Sequence, residues 1–376
     1  MWYNMYMRKT FKYRIYANQT TLKSAENWLH LCRTLYNLAL ELRIFAYRNY
    51  RKYVSQHDQS KQLPALKEAF PEFAIVNAQT LQDVLERLEK AYVAFFRRVK
   101  QKRVKTGFPR FKGAQRYDSF ALKQNGWRLE NDKLIIKNIG IFKLKLSRPI
   151  EGNIKTVTIK RNTRQWYVLF SCENVPLRIL PKTNRAVGID VGCESFLTDS
   201  NGKKIANPRF LNNSEQLLKE YQRILSRKKL RFVRRKKTKI LFAKLHRKIS
   251  RQRRDFHFKI ALQLVRNFDT ICIEKLSSFK SFRSLNRSMR DVAWCGFFTI
   301  LLFKAEEAGK EVMKIPAENT SQRCSNCDMI VPKVLNDRIH DCQCGFRTDR
   351  DHNAALNILK LGLNCQKDHS SENLAN

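Results

Sequence analysis

The sequence is short of acidic residues. Its 376 residues include 33 Asp and Glu against 74 Lys and Arg, which gives a formal net charge of +41. A surplus this large has to be met by a polyanion or spread over a self-repelling surface, and nucleic acid is the leading partner. The 43% of hydrophobic residues exclude a histone-like tail, because such a chain can pack an interior and still cover its outside with cations.

Long apolar runs are absent as well. The longest, residues 292–303, is about half of the ~20 residues that a membrane-spanning helix requires. The opening residues, MWYNMYMRKT, contain no hydrophobic core of a signal peptide. We therefore expect a protein that is neither exported nor bound to a membrane.

The sequence also lacks a cysteine pattern that would build a disulfide framework. Four of its ten cysteines cluster as Cys324-x2-Cys327 and Cys342-x-Cys344, the layout of two metal-binding knuckles in a reducing compartment. Four thiolates suffice for a closed tetrahedral Zn²⁺ site, which would be structural because it leaves no open position; the alternative is four unmetallated thiols. The scattered cysteines are expected to be buried thiols: Cys32, Cys172, Cys193, Cys272, Cys295 and Cys365.

The chain begins with a strand pattern that a helical block interrupts. Residues 7–16 alternate polar and apolar side chains, as a half-buried strand does. Residues 17–105 carry apolar side chains at helical spacing, until Gly107 and Pro109 end this pattern. Short alternating runs return between residues 133 and 173. The pattern predicts a twisted sheet or small β-barrel that carries the helical block as an insert.

A third region begins after Arg185. Its predicted elements are a hairpin over 186–205, helix 256–267, strand 270–273, helix 293–308, strand 311–315 and a final helix 352–361 followed by a polar tail. Between residues 223 and 254 half of the side chains are Lys or Arg and none is acidic, in a pattern compatible with one or two long helices. This run is either a solvated helix face or, as the charge of +41 favours, a contact surface for nucleic-acid phosphates.

Three carboxylates stand at positions where chemistry is often found. Asp190 interrupts the hydrophobic strand AVGIDVG, flanked by glycines that allow close backbone approach. Glu274 ends the strand 270–273, and the carboxyl end of a strand is where α/β folds place reactive groups. Asp351 immediately precedes the final helix. Singly, the three could be a structural acid, an ordinary strand end and a helix N-cap; together they indicate an acidic site.

Several segments of the chain resemble, in order, the TnpB (OrfB) family of transposon-encoded RNA-guided nucleases, relatives of the compact type V CRISPR effectors. In the second half these segments are GIDVG, RRDFHFKIA, CIEKL, TSQRCSNC and DRDHNAALNIL. In the first half they are FKYRIYANQTTLKSAENWLHLCRTLYNLAL and FFRRVKQKRVKTGFPRFKGAQRYDSF. The similarity spans about residues 10–361.

The resemblance implies an α+β multidomain fold. Residues 1–182 would form a lobe that recognises guide RNA and target DNA, a wedge-like β-barrel with a helical insert at 17–113. Residues 183–364 would form an RNase H-like (RuvC) α/β nuclease domain with a zinc ribbon inserted at 318–346. A polar tail, 365–376, would follow.

The resemblance also implies that Asp190, Glu274 and Asp351 carry the active site. Carboxylate oxygens suit hydrated Mg²⁺, and two such ions ~4 Å apart can activate water and neutralise the leaving 3′ oxygen in phosphodiester hydrolysis. The second acid of DRD is the family's catalytic one, so Asp351 is expected to be the ligand rather than Asp349. The second zinc knuckle departs from the family, because only Gln343 separates its cysteines where two residues are usual. His340 could replace one thiolate, although all four cysteines are the expected set.

The sequence therefore predicts an RNA-guided DNA endonuclease of a transposon. One protein chain would bind one guide RNA from the transposon end and cleave double-stranded target DNA, in the cytoplasm of a bacterium or archaeon at the nucleoid. Sequence choice would rest with the guide, and the protein would read only a short adjacent motif. Two alternatives are a cleavage-inactive RNA-guided DNA-binding repressor and an accessory transposase; the three acids favour the nuclease.

Overall fold

The computed structural model describes residues 5–102, 106–114, 116–229, 233–275, 291–316, 318–334 and 337–372, with side chains up to residue 365. The chain divides into two compact units, Met1–Pro176 and Leu177–Asn376. None of the helices in these described ranges has the length and hydrophobicity needed to span a membrane.

A seven-stranded antiparallel sheet frames the first unit. Its strands are β1 (Tyr6–Tyr16), β2 (Ser119–Leu122), β3 (Trp127–Glu130), β4 (Lys133–Ile136), β5 (Gly140–Lys145), β6 (Asn153–Asn162) and β7 (Gln165–Pro176). Their order across the sheet is β2-β6-β7-β1-β5-β4-β3. The edge strands β2 and β3 are joined only by residues 123–126, so the sheet curls into a nearly closed barrel, as the alternating runs predicted.

The predicted helical insert lies between β1 and β2. It comprises α1 (Gln19–Tyr50), α2 (Gln56–Lys61), α3 (Leu63–Ala69), a 3₁₀ turn (Pro71–Ile75) and α4 (Ala78–Lys100). The Asn18 side chain begins α1 by accepting the N–H of Thr21 at 2.8 Å. The insert packs on the sheet through the rings of Trp28 and Phe120, 5.4 Å apart.

The second unit is built on a five-stranded mixed sheet. Its strands are β8 (Ala186–Asp190), β9 (Ser195–Asp199), β10 (Lys204–Ala206), β11 (Thr270–Glu274) and β12 (Glu311–Ile315). They are ordered β10-β9-β8-β11-β12, with β8, β11 and β12 parallel and β9 antiparallel to both of its neighbours. Because β8 and β11 are parallel neighbours, their carboxyl ends lie at the same edge of the sheet.

Helices cover both faces of this sheet. They are α6 (Val233–Asn267), α7 (Trp294–Ala308) and α8 (Arg350–Glu372), and α5 (Glu215–Arg227) packs against α6. Ile271 and Ile273 of β11 pack with α6 and α7, whereas Cys272 packs with Ile358 of α8 on the opposite face. A Cβ at Gly188 would lie 2.1 Å from the Ala355 carbonyl oxygen, so only glycine allows α8 to lie this close to β8. Between β12 and α8 a small ribbon contains β13 (Ile339–Asp341) and β14 (Arg347–Asp349), which pair antiparallel.

Two expectations were wrong. The final helix does not give way to a polar tail at residue 365 but continues to Glu372. The segment beyond residue 361 lacks the apolar spacing that identified the helix, yet it contains no proline, and extending a formed helix costs far less than nucleating one. Among the scattered cysteines, Cys295 is exposed on α7, and Cys193 and Cys365 are half-buried. The other three are buried as expected: Cys32, Cys172 and Cys272.

Candidate active site and metal centre

The three predicted acids gather at the carboxyl edge of the second sheet. Asp190 is the last residue of β8 and Glu274 the last of β11. The strand register pairs Ile189 with Ile273, so the next residues on the two strands, Asp190 and Glu274, lie side by side. Asp351 lies in the first turn of α8 and reaches the loop after β8, where a Cβ at Gly192 would lie 3.8 Å from Asp351 Oδ2.

The electrostatics of these acids favour a bound cation. Burial raises the pKa of Asp190 to about 8, and the charges of Glu274 and Asp351 add to the effect, whereas Arg350 and the Val191 N–H oppose it. Burial is also the largest cause of the raised pKa values of Glu274 and Asp351. An ionised Asp190 in this desolvated position, repelled by Glu274 and Asp351, is stable only with a compensating charge. Oxygen donors of this kind fit Mg²⁺.

Asp349, rather than Asp351, caps α8. Asp349 Oδ1 accepts the N–H groups of Asp351 at 3.0 Å and His352 at 3.3 Å, and its Oδ2 accepts from Lys204 Nζ at 2.6 Å. Burial acts to raise the pKa of Asp349, but Lys204 and the two N–H groups outweigh it and the pKa is lowered. The capping role weighed for Asp351 is thus filled by its neighbour, which leaves the Asp351 carboxylate to face the acidic site.

Sequence reasoning missed Thr320. Its buried hydroxyl donates to Glu274 Oε1, and it opens the segment TSQRCSNC that contains the first cysteine knuckle. The Thr320 carbonyl in turn accepts from Asn357 Nδ2 at 2.9 Å. Glu274 is therefore oriented by a residue that α8 itself holds in place.

Two asparagines of α8 hold the same segment. Asn357 Nδ2 also donates to the Arg323 carbonyl at 2.6 Å, and Asn353 Nδ2 donates to that carbonyl at 2.7 Å. Asn353 Oδ1 accepts the N–H of Ser325 at 3.0 Å. The available signal was their i, i+4 spacing, which sets both amides on one helix face.

The four clustered cysteines form a preassembled metal site. Their Sγ atoms lie within 4.8 Å of one another; Cys324 and Cys344 are 3.8 Å apart, and Cys327 and Cys342 are 3.5 Å apart. Tetrahedral Zn²⁺ with Zn–S bonds of ~2.3 Å sets sulfur–sulfur separations of about 3.8 Å, so the donor set fits zinc. Among the described residues, these four cysteines are the group whose ligand atoms lie close enough together to hold one metal ion. The oxygens of the three carboxylates are further apart than that.

The remaining donors of the ribbon are arranged around these thiols. The N–H of Phe346 and the amide of Asn326 lower the pKa of the Cys344 thiol to about 6, which favours the thiolate that a metal requires. His340 is buried outside the cysteine group, with its Nδ1 hydrogen-bonded to Lys333 Nζ.

The basic run forms most of α6. Exposed cations follow this helix for several turns: Arg234, Lys236, Lys237, Lys239, Lys244, Lys248, Arg251 and Arg254. The helix is anchored at its centre, where Arg253 pairs with the buried Asp291 at 3.2 Å. The predicted helix 256–267 is the apolar end of this longer element.

Three family profiles match the chain. OrfB_IS605, described as "Probable transposase", matches residues 170–284, and a "Cas12f1-like, TNB domain" profile matches 294–358. A profile described as "Helix-turn-helix domain" matches residues 5–52, although the structure there is strand β1 followed by the single helix α1.

Two similar proteins align with nearly the whole chain. The "Putative RNA-guided DNA endonuclease" of Streptomyces pristinaespiralis is 31% identical over 368 residues, 95% of this chain and 90% of that protein. The "Putative RNA-guided DNA endonuclease InsQ" of Escherichia coli (strain K12) is 28% identical over 354 residues, 88% of this chain and 86% of that protein. A solved Cas12f1-sgRNA-target DNA complex aligns with a TM-score of 0.35 and 18% identity over 94% of this chain and 99% of that one. At 31% identity over nearly all of both proteins, and with the OrfB_IS605 profile over residues 170–284, the chain belongs to the TnpB (OrfB) family that its motifs resemble.

Proposed function

We propose that this chain is an RNA-guided DNA endonuclease that cleaves target DNA with Mg²⁺ ions held by Asp190, Glu274 and Asp351. The observation that carries the proposal is the gathering of these three partly buried carboxylates at one sheet edge, where Glu274 and Asp351 both act on the charge of Asp190. The strand order of the second unit, with a single antiparallel strand inside a parallel set, supports an RNase H-like (RuvC) nuclease domain. The names of the full-length relatives support the same activity.

The chemistry divides between the metal and the chain. Two bound Mg²⁺ ions would activate the attacking water and stabilise the charge on the leaving 3′ oxygen. The chain's own contribution is to hold three carboxylates from two strands and a helix in fixed positions. Thr320 orients Glu274, and α8 holds the segment that contains Thr320 through Asn357.

The first unit and α6 would serve the nucleic acids. We assign the barrel with its helical insert to recognition of guide RNA and target DNA, and the exposed cations of α6 to phosphate contacts. A guide RNA from the transposon end, bound one per chain, accounts for the charge of +41. A cleavage-inactive repressor would have no use for a desolvated Asp190 whose charge is opposed by Glu274 and Asp351, because this arrangement destabilises the unbound fold.

The guide requirement is the direct test. Protein purified from cells that express the flanking transposon end should contain a discrete RNA, which only high salt removes because phosphate contacts release counterions. Plasmid cleavage with Mg²⁺ should follow the RNA's guide sequence and stop after nuclease removal of the RNA. Protein free of nucleic acid that cuts the same plasmid would overturn the proposal.

Zinc removal should affect cleavage indirectly. Cys324→Ser should lose the metal, measured by elemental analysis, and lower cleavage, because the knuckle holds Thr320 through α8. Cys295→Ser, at an exposed cysteine on α7, is the matched control and should keep both the zinc and the wild-type cleavage rate. Zinc retained in Cys342→Ser but lost in His340→Ala would show that the histidine is a ligand.

Thr320 should behave as a positioning residue. Thr320→Val removes the hydroxyl that donates to Glu274, and a hydrogen bond to a charged group contributes ~1.5–3 kcal/mol, so kcat should fall about 10- to 100-fold. The Mg²⁺ concentration at half-maximal rate should rise, a change that a purely structural role would not produce. Thr320→Ser should restore both values at unchanged zinc content; identical Mg²⁺ titrations for Thr320→Val and wild type would rule this role out.

A further inference from the structure

A cavity of about 550 Å³ lies in the first unit, far along the chain from the acids and the zinc ribbon. It opens between the carboxyl-terminal ends of α1 and α4 and the segment around Phe108. Its volume falls within the ~300–1,000 Å³ of typical small-molecule sites. Its aromatic lining consists of Tyr47, Tyr53, Tyr92, Phe95, Phe96 and Phe108. We refer to this cavity as the aromatic pocket.

One wall of the aromatic pocket is built from rings in contact with one another. The Phe108 ring meets Tyr92 edge-on at 5.7 Å and Phe95 at 5.3 Å. Arg98 of α4 donates to the carbonyls of Thr106 and Gly107, which fixes the segment that delivers Phe108. Edge-to-face contacts of this kind hold aromatic rings in defined orientations.

The mouth of the pocket presents exposed ring faces. Tyr47 is 58% exposed, Tyr53 63% and Phe96 53%. Large exposed aromatic surface around a concavity marks a binding site rather than a core. The flat shape of these groups suits a planar aromatic ligand.

The charge of the pocket is cationic. Arg43 is buried and already neutralised by Glu89 at 2.7 Å, so it belongs to the wall. Arg48, Arg51 and Lys52 are exposed at the rim, and within the described chain no acidic side chain lines the pocket. A planar aromatic ligand attached to an anionic backbone is a nucleotide.

Arg51 is held in an unfavourable conformation. It ends α1 in the left-handed region with a φ of 50°, where its N–H donates to the Tyr47 carbonyl at 3.1 Å and its guanidinium lies 5.5 Å from the Tyr47 ring centre. Glycine is the favoured residue at such a helix end. A strained cation stacked at the mouth of a pocket is the kind of outlier that accompanies binding.

We propose that the aromatic pocket binds a single unpaired base of RNA, stacked among its rings, while the rim cations contact the adjoining phosphates. RNA is favoured over duplex DNA because loops and bulges offer unstacked bases, whereas a duplex must first be unstacked. The inference rests on the proposed function in taking RNA as a partner. It adds a site that selects a structural feature of that RNA.

The test uses the full-length protein and synthetic hairpins. One RNA hairpin carries a single bulged 5-iodouridine, a second is fully paired, and a DNA hairpin carries the same bulge with 5-iododeoxyuridine. Irradiation followed by mass spectrometry should cross-link the bulged RNA base to Tyr47, Tyr53 or Phe96. Affinity for the bulged RNA should exceed that for the paired one by roughly 5- to 150-fold, the range that base–aromatic stacking supports.

Matched variants separate binding from folding. Tyr53→Ala should remove the preference for the bulge, whereas Tyr50→Ala, an exposed tyrosine that does not line the pocket, should keep it. Arg51→Gly should weaken binding without lowering Tm, because glycine relieves the left-handed strain. Equal affinity for bulged and paired RNA, cross-links outside the pocket, or preference for the DNA bulge would overturn the inference. If wild type still cleaves guide-matched plasmid in that case, the pocket assignment fails alone; a cross-link in the pocket without guided cleavage would instead leave the pocket standing and reject the nuclease.

Discussion

Asp190→Ala should abolish Mg²⁺-dependent DNA cleavage, by ~10³-fold or more, and should leave guide-directed target binding largely intact. The expected size follows from the several kcal/mol that bound metals contribute to the charged transition state, of which the duplex in its ground state needs little. Asp190 is central because it is coupled to both other acids. Single-turnover cleavage and gel-shift binding of the same guide complex measure the two effects.

Asp190→Asn provides a second measurement, in which the substitution should improve stability instead of removing activity. The pKa of Asp190 is about 8 in the folded protein against an ordinary 3.8, so the folded state binds the proton more tightly than the unfolded one. The free energy of unfolding of the metal-free wild type should therefore fall as pH rises from ~4 to ~8. The Asp190→Asn variant should not show this fall. Thermal unfolding in EDTA at two pH values measures the difference, and Mg²⁺ should restore the wild type alone. Cleavage by Asp190→Ala near the wild-type rate would reject the metal-site assignment.

Substitutions of the two acids in the DRD segment, Asp349 and Asp351, should have clearly different effects. Asp351→Ala should be inactive, again by ~10³-fold or more, with a folded zinc ribbon. Asp349→Ala should keep cleavage and instead lose ~1 kcal/mol of unfolding free energy, because Asp349 caps α8 and pairs with Lys204.

Denaturant unfolding and cleavage on matched preparations distinguish these losses. Lys204→Ala is a further control, since it removes the ion pair of Asp349 but leaves both capping hydrogen bonds, and it should cost less stability than Asp349→Ala. Inactive Asp349→Ala with active Asp351→Ala would move the ligand by two residues, and activity in both would remove the segment from the active site.

Strand positions and the acidic edge could be predicted because they depend on local pattern. Asp190 and Glu274 each end a short apolar run, and parallel pairing of such runs brings their ends together. The resemblance had indicated Asp351 rather than Asp349 as the ligand. That Asp349 is the helix cap could not be predicted, because both acids precede the predicted helix and only the hydrogen-bond geometry identifies the cap. Thr320 was equally hidden, since a bond to Glu274 across 46 residues has no periodic signature.

The aromatic pocket was out of reach for a related reason. The rings come from α1, α4 and the segment after it, and each ring on its own fits the apolar face of its own element. The motif GFPRF was recognised as a unit of resemblance, but its Phe108 became interpretable only where Tyr92 and Phe95 surround it.

The central position of β1 sets an order of events during synthesis. This strand is synthesised before both of its partners, β5 and β7, which end at residues 145 and 176. Pairings so distant along the chain form slowly, whereas helices and their local contacts form within microseconds. The helical insert can therefore fold while the barrel is still open, and during that interval β1 has two unpaired edges. Arg and Lys alternate with apolar residues along β1. Their charges disfavour pairing of this exposed strand with other chains until β5 and β7 have formed.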